Sequence, residues 1–350
     1  EREQRWGIGG VVYRNIRNVT GLVGKSIDAP LAAISKALAS QPDSISTQAL
    51  LAALNGVLGD HLVLRDNPLA IPIHFRREGI ILNDKQLSEV INKSNGKLLI
   101  MVHGLCMNDL QWRREGHDHG AELAKESGME AIYLHYNTGR HISDNGKQFA
   151  ELLESLVSLT DKKLEINILA HSMGGLVSRS AFHVAENSGH KWPELLKKLV
   201  FLGTPHHGAP LEKAGNWIDL ILGVHPYTVP LARLVRVRSS GITDLRYGNV
   251  QELDWYTIDR FEFSGDQRLH LPLPNMVQCF AVATSAKEST NYPLGDGLVR
   301  IKSALGQHQD PSFDLCIPDT HKWVGTNINH MQLLSDPKIY QVLKIWFEIE

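Results

Sequence analysis

The amino-acid sequence predicts an α/β protein: a mostly parallel sheet with helices on both faces. Three observations predict it. Short apolar runs recur at Leu98–Val102, Ile166–Leu169 and Lys198–Leu202, helical patterns lie between them, and one run leads into a serine flanked by small residues. Near-continuous apolar runs suit strands buried on both faces, as in a parallel sheet, and the intervening helices supply the crossovers.

Taken in order, residues 1–70 read as an N-terminal helical segment. Ile16, Val19, Leu22, Val23, Ile27, Leu31, Ile34 and Leu38 fall in steps of three and four, with a break expected near Pro30. A second helical pattern at Leu50, Leu51, Leu54, Val57 and Leu58 is expected to stop near Gly59, before the turn at Asn67-Pro68. A buried cap is the favoured role, with a partner-binding helix or a membrane-surface anchor as the alternatives. The sheet domain is placed at 71–350. It opens on a strand pair, Ile71–Phe75 and Gly79–Leu82, followed by the strand Leu98–Val102 and a helix over 118–127. Next come the strand Ala131–Leu134, a helix over 144–159, the strand Ile166–Leu169, a helix over 174–186 and the strand Lys198–Leu202. Residues 209–275 lose this rhythm and read as a lid or cap insertion. Strands are expected again at Val277–Ala283 and Phe313–Ile317, and a helix over 337–347 closes the chain.

Composition narrows the class. The 350 residues are 43% hydrophobic and 21% charged, with mean hydropathy −0.17, which excludes collagen-like, coiled-coil and disordered chains. With 36 Lys and Arg against 38 Asp and Glu, the chain lacks the positive field that nucleic-acid binding requires. No apolar run reaches the ~20 residues that span a bilayer. The charged start Glu1-Arg2-Glu3-Gln4-Arg5 shows no signal peptide, so a cytoplasmic location is expected, although a first residue other than Met suggests trimming. Cys106, Cys279 and Cys316 form no CxxC pair and read as free thiols.

The chemistry concentrates in Ala170-His171-Ser172-Met173-Gly174-Gly175, where a buried strand meets a helix. Such a junction is a nucleophile elbow: a tight turn lifts the serine Oγ above the sheet, and small neighbours avoid collisions. Ala170 stands where the usual G-x-S-x-G string has its first glycine, and alanine is small enough to fit. An ordinary helix N-cap is the bland alternative for Ser172. His103-Gly104 at the end of a strand opens the loop that supplies one oxyanion N–H, from Leu105 with Cys106 as the alternative. Met173, following the nucleophile, supplies the other. A serine needs a base, and in this chain order an acid follows a late strand while a histidine precedes the last helix. Asp296, in a glycine turn, and His330 meet that order; Asp310, Asp314, Asp319, His308 and His321 are the rivals. Asp296 would orient His330, which would take the Ser172 proton and return it to the leaving group.

Together these strings resemble the α/β-hydrolase fold, in particular bacterial lipases and esterases close to the GPI-inositol-deacylase-like and lecithin-acyltransferase-like branches. The resemblance rests on Val102-His103-Gly104, Tyr136-Asn137-Thr138-Gly139 with His141-Ile142, the elbow, Gly203-Thr204-Pro205-His206-His207-Gly208, Gly295-Asp296-Gly297-Leu298-Val299 and His330-Met331-x-Leu333-Leu334, and it covers 98–347. It implies carboxylic-ester hydrolysis through an acyl-enzyme without an organic cofactor. It leaves open an acyltransferase, a lipid deacylase or an inactive binding module.

His103, His171 and His206 are expected at the substrate pocket, with His206-His207 on its rim. His117-Asp118-His119 and His206-His207 are metal candidates by composition, but their spacing does not make a two-ligand helical face, so loop-bonding histidines are favoured. The insertion offers Trp217, Ile218, Leu220, Ile221, Leu222, Val224, Leu231, Leu234 and Val235 to acyl chains. Arg233, Arg236, Arg238 and Arg246 offer charge to anionic lipid. The expected partner is a small-molecule or lipid ester, with peripheral membrane contact through the N-terminal helices or the lid.

Overall fold

Strands that are apolar at consecutive positions build the centre of the molecule, because each sends alternate side chains to opposite faces. Leu98, Ile100 and Val102 enter one core, while Leu99 and Met101 enter the other. The computed structural model describes residues 44–94, 96–209, 239–256, 268–293 and 295–349.

The strands are β1 (His74–Arg77), β2 (Ile80–Ile81), β3 (Lys97–Val102), β4 (Glu130–His135), β5 (Glu165–His171), β6 (Leu196–Leu202), β7 (Gln278–Ser285) and β8 (Lys322–Thr326). They form one eight-stranded sheet in the order β2-β1-β4-β3-β5-β6-β7-β8. β1 runs antiparallel to both β2 and β4; the pairs from β4 through β8 are parallel.

The helices are α1 (Ile45–Leu64), α2 (Asp84–Lys93), α3 (His119–Ser127), α4 (Ile142–Ser158), α5 (Met173–Ser188), the short α6 (Trp192–Leu195), α7 (Ser240–Tyr247), the short α8 (Ile301–Ala304) and α9 (Pro337–Trp346). One core joins the sheet to α1, α4 and α5 through Leu54, Leu58, Phe149, Leu153, Leu176 and Val177. The other joins it to α3 and α9 through Leu123, Ile339, Leu343 and Trp346. Helices therefore cover both faces.

Three expectations change. α1 does not stop near Gly59 but runs on to Leu64. Its two glycines mark close approach instead: a Cβ on Gly56 would lie 2.2 Å from Cys106 Sγ, and one on Gly59 would lie 1.8 Å from Asn137 Oδ1. The expected strand Phe313–Ile317 is absent. Leu315 and Ile317 are buried, but Cys316 turns at φ +51° and a 3₁₀ turn occupies Pro311–Phe313. The edge strand is Lys322–Thr326, paired with β7 from Ala281↔Lys322 onward. The first strand of the opening pair lies at His74–Arg77, two to three residues later than expected.

Of the insertion, α7 and a 3₁₀ turn at Glu252–Asp254 are described. The helical pattern at 16–38, the apolar residues from Trp217 to Val235 and Arg233, Arg236 and Arg238 lie outside the described residues. Among the described residues, no helix is long and apolar enough to cross a membrane.

Candidate active site

The carboxyl ends of β3, β5, β6, β7 and β8 converge, and the loops leaving them carry the polar residues singled out above. In open α/β sheets such ends are where ligands bind. After β5 the chain reverses at Ser172, with φ +55° and ψ −124°, and α5 begins at the next residue. A non-glycine residue there is strained by roughly 1–3 kcal/mol, so its surroundings must enforce it. They do. The Ser172 N–H donates to Leu202 O at 2.9 Å, and the Ser172 carbonyl accepts from Gly175 N at 3.1 Å. A Cβ on Gly174 would lie 2.3 Å from Val102 O, and one on Gly175 would lie 2.1 Å from Thr204 Oγ1. Small residues at these positions let α5 press against the ends of β3 and β6.

Asp296 follows β7, in a turn between Gly295 and Gly297 whose φ values are +56° and +101°. Its Oδ1 accepts from the N–H groups of Leu298 and Val299 at 2.9 and 2.8 Å. Oδ2 is thereby left for His330, whose Nδ1 lies 2.6 Å away; both side chains are 1% exposed. The His330 N–H also donates to the Asp296 carbonyl at 3.0 Å. With Nδ1–H committed to the carboxylate, Nε2 carries the ring's lone pair, and it is buried with no partner among the described residues. The late rivals are engaged elsewhere. Asp310 caps the 3₁₀ turn at Ser312, Asp314 accepts from Cys316 N, Asp319 pairs with Lys322, His308 bonds Asp310 and His321 bonds Cys279 O.

The loop after β3 separates the two oxyanion candidates. The Cys106 N–H donates to Thr138 Oγ1 at 3.1 Å, whereas the Leu105 N–H meets no acceptor among the described residues. Met173 is the first residue of α5, where a backbone N–H has no intrahelical acceptor.

The three pocket histidines are all buried. His103 Nδ1 lies 3.0 Å from Gly104 O, and its ring stacks on Tyr136 at 4.5 Å. Burial is the main cause that lowers its pKa to about 4, so it is neutral near pH 7. His171 donates from Nε2 to the His330 carbonyl at 3.1 Å, and the two rings lie 4.7 Å apart. Burial, and then the neighbouring His330, holds it well below the usual histidine value. His171 thus supports the loop of His330 from behind. His206 sits edge-on to Phe201 and faces Arg179, which donates toward its Nδ1 at 3.4 Å. No hydrogen bond or ring contact among the described residues links it to Ser172, Asp296 or His330; it lies buried in a polar cluster with Arg179 and Arg268. Burial comes first, and then the Arg179 charge, in holding His206 well below the usual value.

Among the metal candidates, His117 Nε2 and His119 Nδ1 lie 2.7 Å apart, and His119 Nε2 bonds Leu333 O. No group of three or more His, Cys, Asp or Glu among the described residues is arranged to hold a metal ion.

Gly203 was not singled out in the sequence as a site residue. At φ +59°, a Cβ there would lie 3.1 Å from Asp296 Oδ2 and 3.2 Å from His330 Cε1. Its glycine opens the space for the Asp–His pair. The signal was the first residue of the Gly203-Thr204-Pro205-His206-His207-Gly208 string.

Residues 72–241 match a family model described as a domain of unknown function, DUF7379. A triacylglycerol lipase of Pseudarthrobacter phenanthrenivorans is 27% identical over 115 residues, which is 32% of this chain and 34% of that protein. The chain thus spans about a third of the length of that curated relative. Among solved structures, the mature form of the Bacillus licheniformis lipase BlEst2 is similar at TM-score 0.47 and 20% identity, over 71% of this chain and 91% of that one. EstA of Clostridium botulinum is similar at TM-score 0.48 and 14% identity, over 73% and 87%. By its sheet order and by the turn that raises Ser172 above β5, the chain has the α/β-hydrolase fold, and it resembles bacterial lipases and esterases.

Proposed function

We propose that the protein is a serine hydrolase of carboxylic esters. The observation that carries this reading is the 2.6 Å bond between Asp296 and His330 at the sheet end where Ser172 occupies its strained turn. In this reading the Ser172 hydroxyl gives its proton to His330 Nε2 as Oγ attacks the ester carbonyl carbon. The carbonyl oxygen becomes an oxyanion that the Leu105 and Met173 N–H groups stabilise, each worth roughly 3 kcal/mol of barrier. As the tetrahedral intermediate collapses, the imidazolium passes its proton to the departing alkoxide, which leaves an acyl-Ser172 ester and the free alcohol. Water then repeats the sequence through the same histidine, releasing the acid and restoring the serine. Asp296 holds the imidazole in place and stabilises the imidazolium.

The distant relative named as a triacylglycerol lipase supports an acyl ester as the substrate class. The test is Ser172→Ala, assayed on p-nitrophenyl esters of graded chain length. Turnover should fall by about 10⁴-fold or more while the melting temperature stays unchanged. A fluorophosphonate probe should label the parent protein at Ser172 and leave the variant unlabelled. A variant that still turns over would remove Ser172 from the reaction.

A further inference from the structure

The loop that bears Leu105 holds an uncommon backbone. Cys106 lies at φ +60°, a region that side chains other than glycine rarely adopt. Two peptide planes meet at Leu105, and each is fixed by a separate set of contacts. The Gly104 carbonyl accepts from Met107 N at 3.3 Å and lies 3.0 Å from His103 Nδ1. In a planar trans peptide the N–H points opposite to the C=O, so these contacts aim the Leu105 N–H away from both partners. The next plane is held by the Cys106 N–H on Thr138 Oγ1. A Cys106 N–H without that acceptor would be a buried unsatisfied donor, and the plane would be free to rotate toward another acceptor.

The loop that carries Thr138 is itself held from two sides. Thr138 is 1% exposed and follows Tyr136, whose hydroxyl donates to the His103 carbonyl at 2.7 Å. Asn137 Nδ2 donates to Gly59 O of α1 at 3.1 Å, and its Oδ1 accepts from Gly139 N at 3.0 Å. The loop 136–139 is therefore bonded to α1 on one side and to the oxyanion loop on the other.

We infer that Thr138 is a positioning residue for ester hydrolysis: its hydroxyl oxygen fixes the Leu105–Cys106 peptide, so that Leu105 rather than Cys106 presents its N–H to the oxyanion. The inference rests on the serine-hydrolase reading and adds a residue to it. Thr138→Val removes the acceptor at nearly constant volume, Thr138→Ala removes it with less bulk, and Thr138→Ser keeps it. Each is assayed on a p-nitrophenyl ester and titrated with a trifluoromethyl ketone, whose adduct carries an oxyanion. The Val and Ala variants should lose about 10–100-fold in kcat, with KM within about twofold, and lose ketone affinity by a similar factor. The Ser variant should recover most of both. Should Val destabilise the protein, the Ala and Ser pair still carries the comparison. Unchanged kcat and ketone affinity in both the Val and Ala variants would overturn the role of Thr138, as would a Ser variant as impaired as Ala. Retained turnover in Ser172→Ala is a separate result that would sink the underlying reading.

Discussion

Gly203 shows how much a site can depend on a missing side chain. Its φ of +59° disfavours any Cβ, and the space that Cβ would take borders Asp296, His330 and Leu333, the last at 2.5 Å. Gly203→Ala should therefore cost about 1–3 kcal/mol of stability and displace the Asp–His pair. Urea unfolding together with kcat on an ester would measure both, and an alanine variant with parental kcat would show that the pair does not need this space. At this scale the sequence was legible where chemistry and chain order coincide. Ser172 stands between a buried strand and a helix, and His330 stands just before the closing helix. Gly203, Tyr136 and Thr138 lie in motif strings that do not reveal their roles, because a left-handed φ or a bond across 32 positions, as between Cys106 and Thr138, leaves no local signature. The choice between Leu105 and Cys106 stayed open for the same reason.

For whole elements, glycine was the misleading signal. Read as a stop, Gly59 would end α1; in the folded protein it is the point where α1 touches the loop after β4. Two effects of opposite sign then compete in Gly59→Ala. Alanine gains about 1 kcal/mol of helix propensity. Its Cβ, however, would fall within 2.9 Å of three atoms of Asn137, a buried residue already bonded to Gly59 O. Overpacking of this kind costs roughly 1–3 kcal/mol, so net destabilisation of up to about 2 kcal/mol is expected from the urea midpoint. A stabilised variant would mean that Asn137 has room to yield. The central strands were readable to within one or two residues because burial on both faces makes them apolar throughout. The edge strand β8 was not: Lys322-Trp323-Val324-Gly325-Thr326 has a mixed pattern, while Phe313–Ile317 imitates strand alternation although Cys316 breaks it.

For the molecule as a whole, buried imidazoles set the response to acid. His74 and His103 are lowered to about 4 by burial, and His135, also near Arg76, is held well below its usual value. These rings lie in a row, His74 to His135 at 5.2 Å and His135 to His103 at 6.1 Å, beside the Arg76–Asp109 ion pair. A histidine lowered in the folded state binds fewer protons there than when unfolded. Its contribution is complete above the unfolded value near 6.5 and is lost as pH falls toward 4. For His103 alone the loss is on the order of 3 kcal/mol. Asp109, Asp118 and Asp244 are raised by burial and act in the opposite sense, but His119, His171, His206 and His207 add to the histidine side. Unfolding free energy measured in urea should therefore decline from pH 7 to pH 5; a flat profile would contradict this balance.

The turn at Cys316 has a practical consequence. It leaves the sulfur of Cys316 in solvent, while Cys106 and Cys279 are buried, with thiols raised to about 12. A maleimide dye added to the unmodified chain would thus settle on one sulfur, giving fluorescence work a reporter in the segment that leads into β8 without prior cysteine replacement.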